Sequence, residues 1–192
     1  LKVTNNLPAT WTWRPPAEAG TDAAEFVEHL YLEEEGFIRS AISRLAGPAA
    51  DVDDLLQEVF IIALRRSQTL ARASSPRAWL YGVAVRIAST HRRRDRWRRF
   101  LGLEAAEHLA GETDPSVERA DARRQVLSLI NRMSEKRRIV FILFELQELS
   151  GEEIAEALGC PLKTVWTRLH HARRDFAAAL AREQLKARRM SA

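Results

Sequence analysis

The chain has 192 residues, 46% of them hydrophobic, and a formal net charge of +4. That much apolar material can build a buried core, in one large domain or two small ones, and argues against wholesale disorder. A single cysteine, Cys160, excludes an intramolecular disulfide framework and suits a reducing cytosol, and no apolar run approaches the ~18 residues that a membrane span needs.

Residues 1–22 lack an apolar signal core and read as a flexible extension. From there on, nearly every segment has helical period. Phe26, Leu30, Phe37, Ile38, Ala41, Ile42 and Leu45 recur at spacings of three and four, and Gly47-Pro48 closes the segment. A second helix follows Asp51, a natural N-cap, with Asp53 and Asp54 in its first turn favouring the helix dipole. Its apolar positions are Leu55, Leu56, Val59, Phe60 and Ala63. The polar stretch "SQTLARASSPR" reads as a loop, ending at Ser75-Pro76 as N-cap and first helical residue of a third helix. That helix packs Trp79, Leu80, Val83, Ala84 and Ile87 and runs on into His91–Phe100, "HRRRDRWRRF", with six Arg against one Asp.

On this helix Arg86, Arg93 and Trp97 share one sector, with Ser89 and Arg96 alongside and Arg92 in the same basic block. Arginine neutralises phosphates and tryptophan stacks on unpaired bases, which suits nucleic acid ahead of membrane. A solvated, salt-bridged helix end would explain a bare Arg run equally well. Residues 100–114 lose the periodicity and read as a linker. A second helical unit, residues 115–186, buries Leu127, Ile130 and Met133, followed by a short tail, 187–192. The run "IVFILF" would suit a strand by composition, but its charged flanks and continuation through Leu146 favour a buried helix. The predicted fold is therefore all-α: two small helical domains, 23–99 and 115–186, joined by a linker.

The second domain carries the sharpest local signal. Ser150 and Glu153 form a capping-box pair, Ile154, Ala155 and Leu158 make an apolar face, and Gly159 supplies a left-handed stop before Cys160-Pro161. The next helix keeps Leu162, Val165, Leu169, Ala172 and Phe176 on one side. Lys163, Thr167, His170 and Arg174 lie opposite, flanked by Trp166 and His171. This is helix-turn-helix chemistry. The N-terminal N–H groups with Lys163 and Thr164 suit a phosphate, Thr167 and His170 suit base edges, and Arg173 and Arg174 suit phosphates farther along. An ordinary αα-hairpin fits the periodicity alone; the turn chemistry and the basic outer face favour DNA.

Together these stretches resemble the extracytoplasmic-function class of bacterial RNA polymerase sigma factors over roughly residues 23–183. "DVDDLLQEVFIIALRR" is similar to the helix that the family docks on the polymerase clamp, which implies a core-polymerase face bearing Asp53, Asp54, Gln57 and Glu58. "SPRAWLYGVAVRIASTHRRR" resembles the helix that recognises and melts the promoter −10 element. "LSGEEIAEALGCPLKTVWTRLHHARR" resembles the −35-reading helix-turn-helix. The resemblance implies core RNA polymerase and promoter DNA as partners, an anti-sigma factor as regulator, a cytoplasmic location without membrane insertion, and no cofactor, metal or catalytic group.

Four positions depart from the family pattern. Arg86 stands where many members carry Asn, Lys163 where Gly follows the turn, Trp166 where Lys or Arg is frequent, and Phe144 where an Arg contacts DNA. A stand-alone helix-turn-helix regulator is the rival reading, but it leaves the −10-like helix unexplained and finds no receiver-like strand pattern. An enzyme has little support: His29, His91, His108, His170 and His171 form no ligand spacing with Cys160, and no phosphate loop or nucleophile motif occurs.

Overall fold

The computed structural model describes residues 22–101 and 117–190; residues 1–21 of the expected N-terminal extension, nearly all of the expected linker and the last two residues lie outside the described residues. The described residues form helices without a strand: α1 (Asp22–Ala46), α2 (Val52–Arg65), α3 (Ser67–Ala71), α4 (Pro76–Phe100), α5 (Val117–Asn131), α6 (Glu135–Phe141), α7 (Gly151–Leu158) and α8 (Leu162–Met190). A π-helical turn, Ile142–Leu146, continues α6, so "IVFILF" is helical throughout. Among these residues no helix is long and apolar enough to cross a membrane.

In the first domain α1, α2 and α4 pack around Ile38, Ala41, Ile42, Val59, Ala63, Leu80 and Ala84, all fully buried. Local chemistry fixes where these helices begin. Asp51 accepts the N–H groups of Asp53 and Asp54, each at 3.1 Å. Ser75 Oγ accepts from the Ala78 N–H at 3.1 Å, with Pro76 opening the helix. Each such cap is worth about 1 kcal/mol.

Three details differ from the periodicity reading. The polar stretch after α2 is not all loop: Ser67–Ala71 makes the short helix α3 because Leu70 is drawn completely into the core. Phe37 lies at the edge of the α1 stripe and stays 44% exposed, covered by the Arg77 guanidinium 4.9 Å above its ring. Among the described side chains of α5, Leu129 and Ile130 are buried, as is Met133 just past the helix, while Leu127 is only half-buried.

In the second domain α6 lies along α8, and α7 packs against α8. The two domains then close on each other, so that one continuous core runs through both. The π-helical turn touches α1, and the largest contact is α7 on α4. There Gly82 comes so near that a Cβ on it would sit 2.5 Å from the Ala157 carbonyl oxygen, and only glycine permits the crossing. Ala157 is accordingly buried, whereas Ala155 and Leu158, expected as the inner face, are half-buried. The sequence reading gave α7 one buried face; docking on α4 gives it a second.

Polar groups complete the closure. Glu156 of α7 accepts from Ser74 Oγ at 2.7 Å and from the Ser75 N–H at 3.1 Å. Arg92 of α4 reaches Asn131 Oδ1 at 3.0 Å, and Arg96 lies 3.7 Å from Glu135. Against these contacts stands Arg138, only 5% exposed, whose pKa is pushed down to about 10 by burial first and by nearby Arg92 second.

Candidate nucleic-acid interface

Three surfaces carry the residues singled out in the sequence. The first is α4 with its flanking loop. Ala78 and Leu80 to Val85 are buried, so the first half of this helix offers little to a ligand while the domains are closed. Arg86 is exposed and lines a pocket of about 280 Å³ with Ile62, Arg65, Arg66, Val83 and Ile87. Ser89 is half-buried. Arg92 is drawn inward to the Leu45 carbonyl oxygen and to Asn131, and both burial and Arg96 lower its pKa from the usual arginine value. The structure therefore sets Arg92 apart from the exposed group.

Arg93, Arg96 and Trp97 are exposed together near the end of α4. Trp97 stacks on Phe100, with ring centroids 5.8 Å apart and planes 28° from parallel. Phe100 is 79% exposed and was not singled out by the sequence reading, because it falls where the periodicity stops. Arg93, Arg94 and Arg96 border the same pocket as the two rings. Such a cationic, aromatic surface can hold a nucleic-acid backbone and stack a base.

The second surface is the outer face of α2. Asp54, Gln57 and Glu58 are exposed, and Asp53 is tied to Arg39, which also holds Glu35 at 2.8 Å. Ile61 and Leu64, 46% and 49% exposed, continue this face at helical spacing. The sequence reading passed over both. Their signal was present in the leftover apolar positions of a helix whose core stripe was already complete. An acidic rim running into uncovered aliphatic side chains is suited to a protein partner.

The third surface is the α7–α8 module. The capping box is complete: the Ser150 N–H donates to Glu153 Oε2 at 2.8 Å, and the Glu153 N–H donates to Ser150 Oγ at 3.2 Å. Gly159 adopts the left-handed conformation, φ 58° and ψ 43°, and ends α7. Lys163, Thr167, His170 and Arg174 are exposed along α8, and Thr164 and His171 are half-buried beside them. The Thr167 hydroxyl donates to the Lys163 carbonyl at 2.9 Å, and its oxygen retains the capacity to accept. The His170 and His171 rings lie 5.6 Å apart.

Arg173 is held differently. Its Nε donates to Glu145 Oε1 at 2.7 Å, and its guanidinium rests 5.3 Å from the Phe144 ring centroid. Trp166 meets the same Phe144 ring edge-to-face at 5.6 Å and 72°. Two of the four family departures thus touch each other. Beneath them, a Cβ on Gly151 would fall 2.6 Å from Cζ2 of Trp166, so the absence of a side chain there makes room for the indole.

Comparison with known proteins accounts for this arrangement. Residues 30–98 match the model for Sigma-70 region 2, and residues 123–176 match that for Sigma-70, region 4. The RNA polymerase sigma factor YlaC of Bacillus subtilis (strain 168) is 32% identical, over 78% of this chain and 89% of the relative. The ECF RNA polymerase sigma-E factor of Escherichia coli (strain K12) is 31% identical, over 71% of this chain and 76% of the relative. The solved sigma factor RpoE of Bartonella quintana, in complex with the anti-sigma factor NepR, superposes with a TM-score of 0.62 at 20% identity, covering 82% of this chain and 98% of that one, a likeness of fold. Region 2 on α1–α4, region 4 on α5–α8 and relatives matched over most of their length leave one assignment: the chain belongs to the extracytoplasmic-function class of bacterial RNA polymerase sigma factors.

Proposed function

We propose that this chain docks on core RNA polymerase through α2, recognises the promoter −10 element through α4 and its preceding loop, and grips the −35 duplex through α8. One observation carries the reading. An acidic-to-aliphatic face on α2, an Arg- and Trp-bearing end on α4 and a capped helix-turn-helix occur in that order on one chain. In this reading 23–99 and 115–186 are the functional units, and Asp54, Gln57 and Glu58 with Ile61 and Leu64 meet the polymerase.

Strand opening needs bases to leave the stack, at a cost of roughly a few kcal/mol each, which stacking on Trp97 and Phe100 and contacts near Arg86 help to offset. The chain supplies binding and orientation; polymerisation belongs to the core enzyme, and the work takes place in the cytoplasm beside the chromosome. Control falls to an anti-sigma factor, as the Bartonella quintana complex illustrates for that relative. Run-off transcription with core RNA polymerase on promoters of the same genome tests the function, with initiation dependent on the added chain as the expected result. Failure to bind core enzyme or to direct initiation overturns it, and co-purification from the native host tests the regulator.

A further inference from the structure

We propose that Trp166, braced by Phe144 and Gly151, is a fixed apolar reader that selects a thymine 5-methyl group in the −35 duplex. The inference rests on the assignment of α8 as the helix that enters the major groove. Trp166 is the fifth residue of α8, within the N-terminal part of a recognition helix that meets base edges. Lys163, Trp166, Thr167 and His170 follow one another at helical spacing on the exposed face, and Trp166 keeps 44% of its surface open.

The indole is held from behind. Its Cζ2–Cη2 edge occupies the space that a side chain at residue 151 would need, and the Phe144 ring meets it edge-to-face. An edge-to-face aromatic pair adds attraction beyond burial and fixes both rings. Such a ring cannot sweep out in search of a hydrogen bond as a long cationic side chain can. It also has only one donor, the indole N–H, and so lacks the bidentate fork by which arginine selects guanine. In the major groove the apolar feature that distinguishes one base from the others is the thymine 5-methyl group.

The neighbouring charge points the same way. Arg173 lies seven residues, two turns, beyond Trp166 on the same flank, but its guanidinium is bound to Glu145 and laid over Phe144. The flank of α8 formed by Trp166 and Arg173 is therefore apolar and charge-neutralised, whereas Lys163 and Arg174 remain exposed along the central stripe. An apolar contact and the cationic contacts thus lie on adjacent strips of one helix.

The test uses the full chain bound to core RNA polymerase, with randomised −35 duplexes as the probe, followed by replacement of single thymidines in a selected duplex by 2′-deoxyuridine, which lacks only the methyl group. One thymine position is expected to lose about fourfold in affinity on this replacement, the worth of one buried methyl group. In Trp166→Ala that penalty should vanish while the phosphate-dependent salt slope is kept. Trp166→Ala also removes packing on Gly151, so a second variant, Trp166→Arg, is selected in parallel and should exchange the thymine preference for guanine at the same position. Methyl sensitivity that is absent in the wild type, or that persists in Trp166→Ala, overturns the proposal while leaving the −35 assignment intact. If the holoenzyme enriches no −35 sequence at all, the assignment of α8 falls, and the proposal with it.

Discussion

The two helices proposed to meet DNA are presented in opposite ways. α8 displays its polar stripe to solvent, with its apolar side on α6 and α7. α4 packs on α1, α2 and α7 and is largely buried from Ala78 to Val85, and its exposed basic residues begin at Arg86. The sequences already differ in this respect. The stretch from Ala78 to Val85 is apolar around nearly its whole circumference, as a helix must be when it is packed on all sides, whereas α8 keeps a one-sided stripe. A helix that is to read a ligand from one face while a second domain covers another must carry apolar residues for both. In the proposed reading the −35 element is thus offered an open stripe, whereas for the −10 element only Arg86 and the far end of α4 are open and the stretch before them is covered.

The contrast can be broken most severely at Gly82. Gly82→Leu forces a side chain into the α7 backbone, and overpacking of this kind costs about 1–3 kcal/mol. Separated domains and a larger radius of gyration by small-angle scattering are expected, with α8 still able to bind duplex. An unchanged radius would mean that the α4–α7 crossing is not what holds the domains together. A milder break is Glu156→Ala, which frees Ser74 and Ser75 without touching the apolar contact. Loss of about 1 kcal/mol from closure should raise the affinity of −10 single-stranded DNA by about fivefold, measured by fluorescence anisotropy.

Arg138→Met should sharpen the contrast instead. It removes a buried cation that faces Arg92, and replacing such a group by an apolar one of similar volume is neutral to stabilising by about 1 kcal/mol or more. A higher thermal midpoint with weaker −10 strand binding is the expected pair of results. The smallest effect belongs to Arg174→Ala on the open helix. Duplex affinity should fall for all sequences alike, and the salt slope should flatten by about one.

What the sequence disclosed follows the range of the interactions involved. The caps at Asp51, Ser75 and Ser150 and the turn at Gly159 involve groups within a few residues of one another, and residue type with spacing suffices to read them. The helical state of "IVFILF" and the continuation of α4 into the Arg block were legible for the same reason. The closure of the domains was not, because Gly82 meets Ala157 and Ser74 meets Glu156 across more than seventy residues. Arg92 shows the consequence: on a helical wheel it belongs with its basic neighbours, and the Leu45 carbonyl together with Asn131 of the other domain turns it inward. Phe144 and Trp166 likewise read as two separate losses of a cation, and the fold makes them one aromatic contact.

The carboxylate of Glu156 sits at the first turn of α4, where the helix dipole and the Ser75 N–H favour a negative group. A nucleic-acid phosphate seeking that same N–H meets a seat already taken by an anion of the protein itself. Glu156 is thus at once an anion at the start of α4 and a tie between the domains.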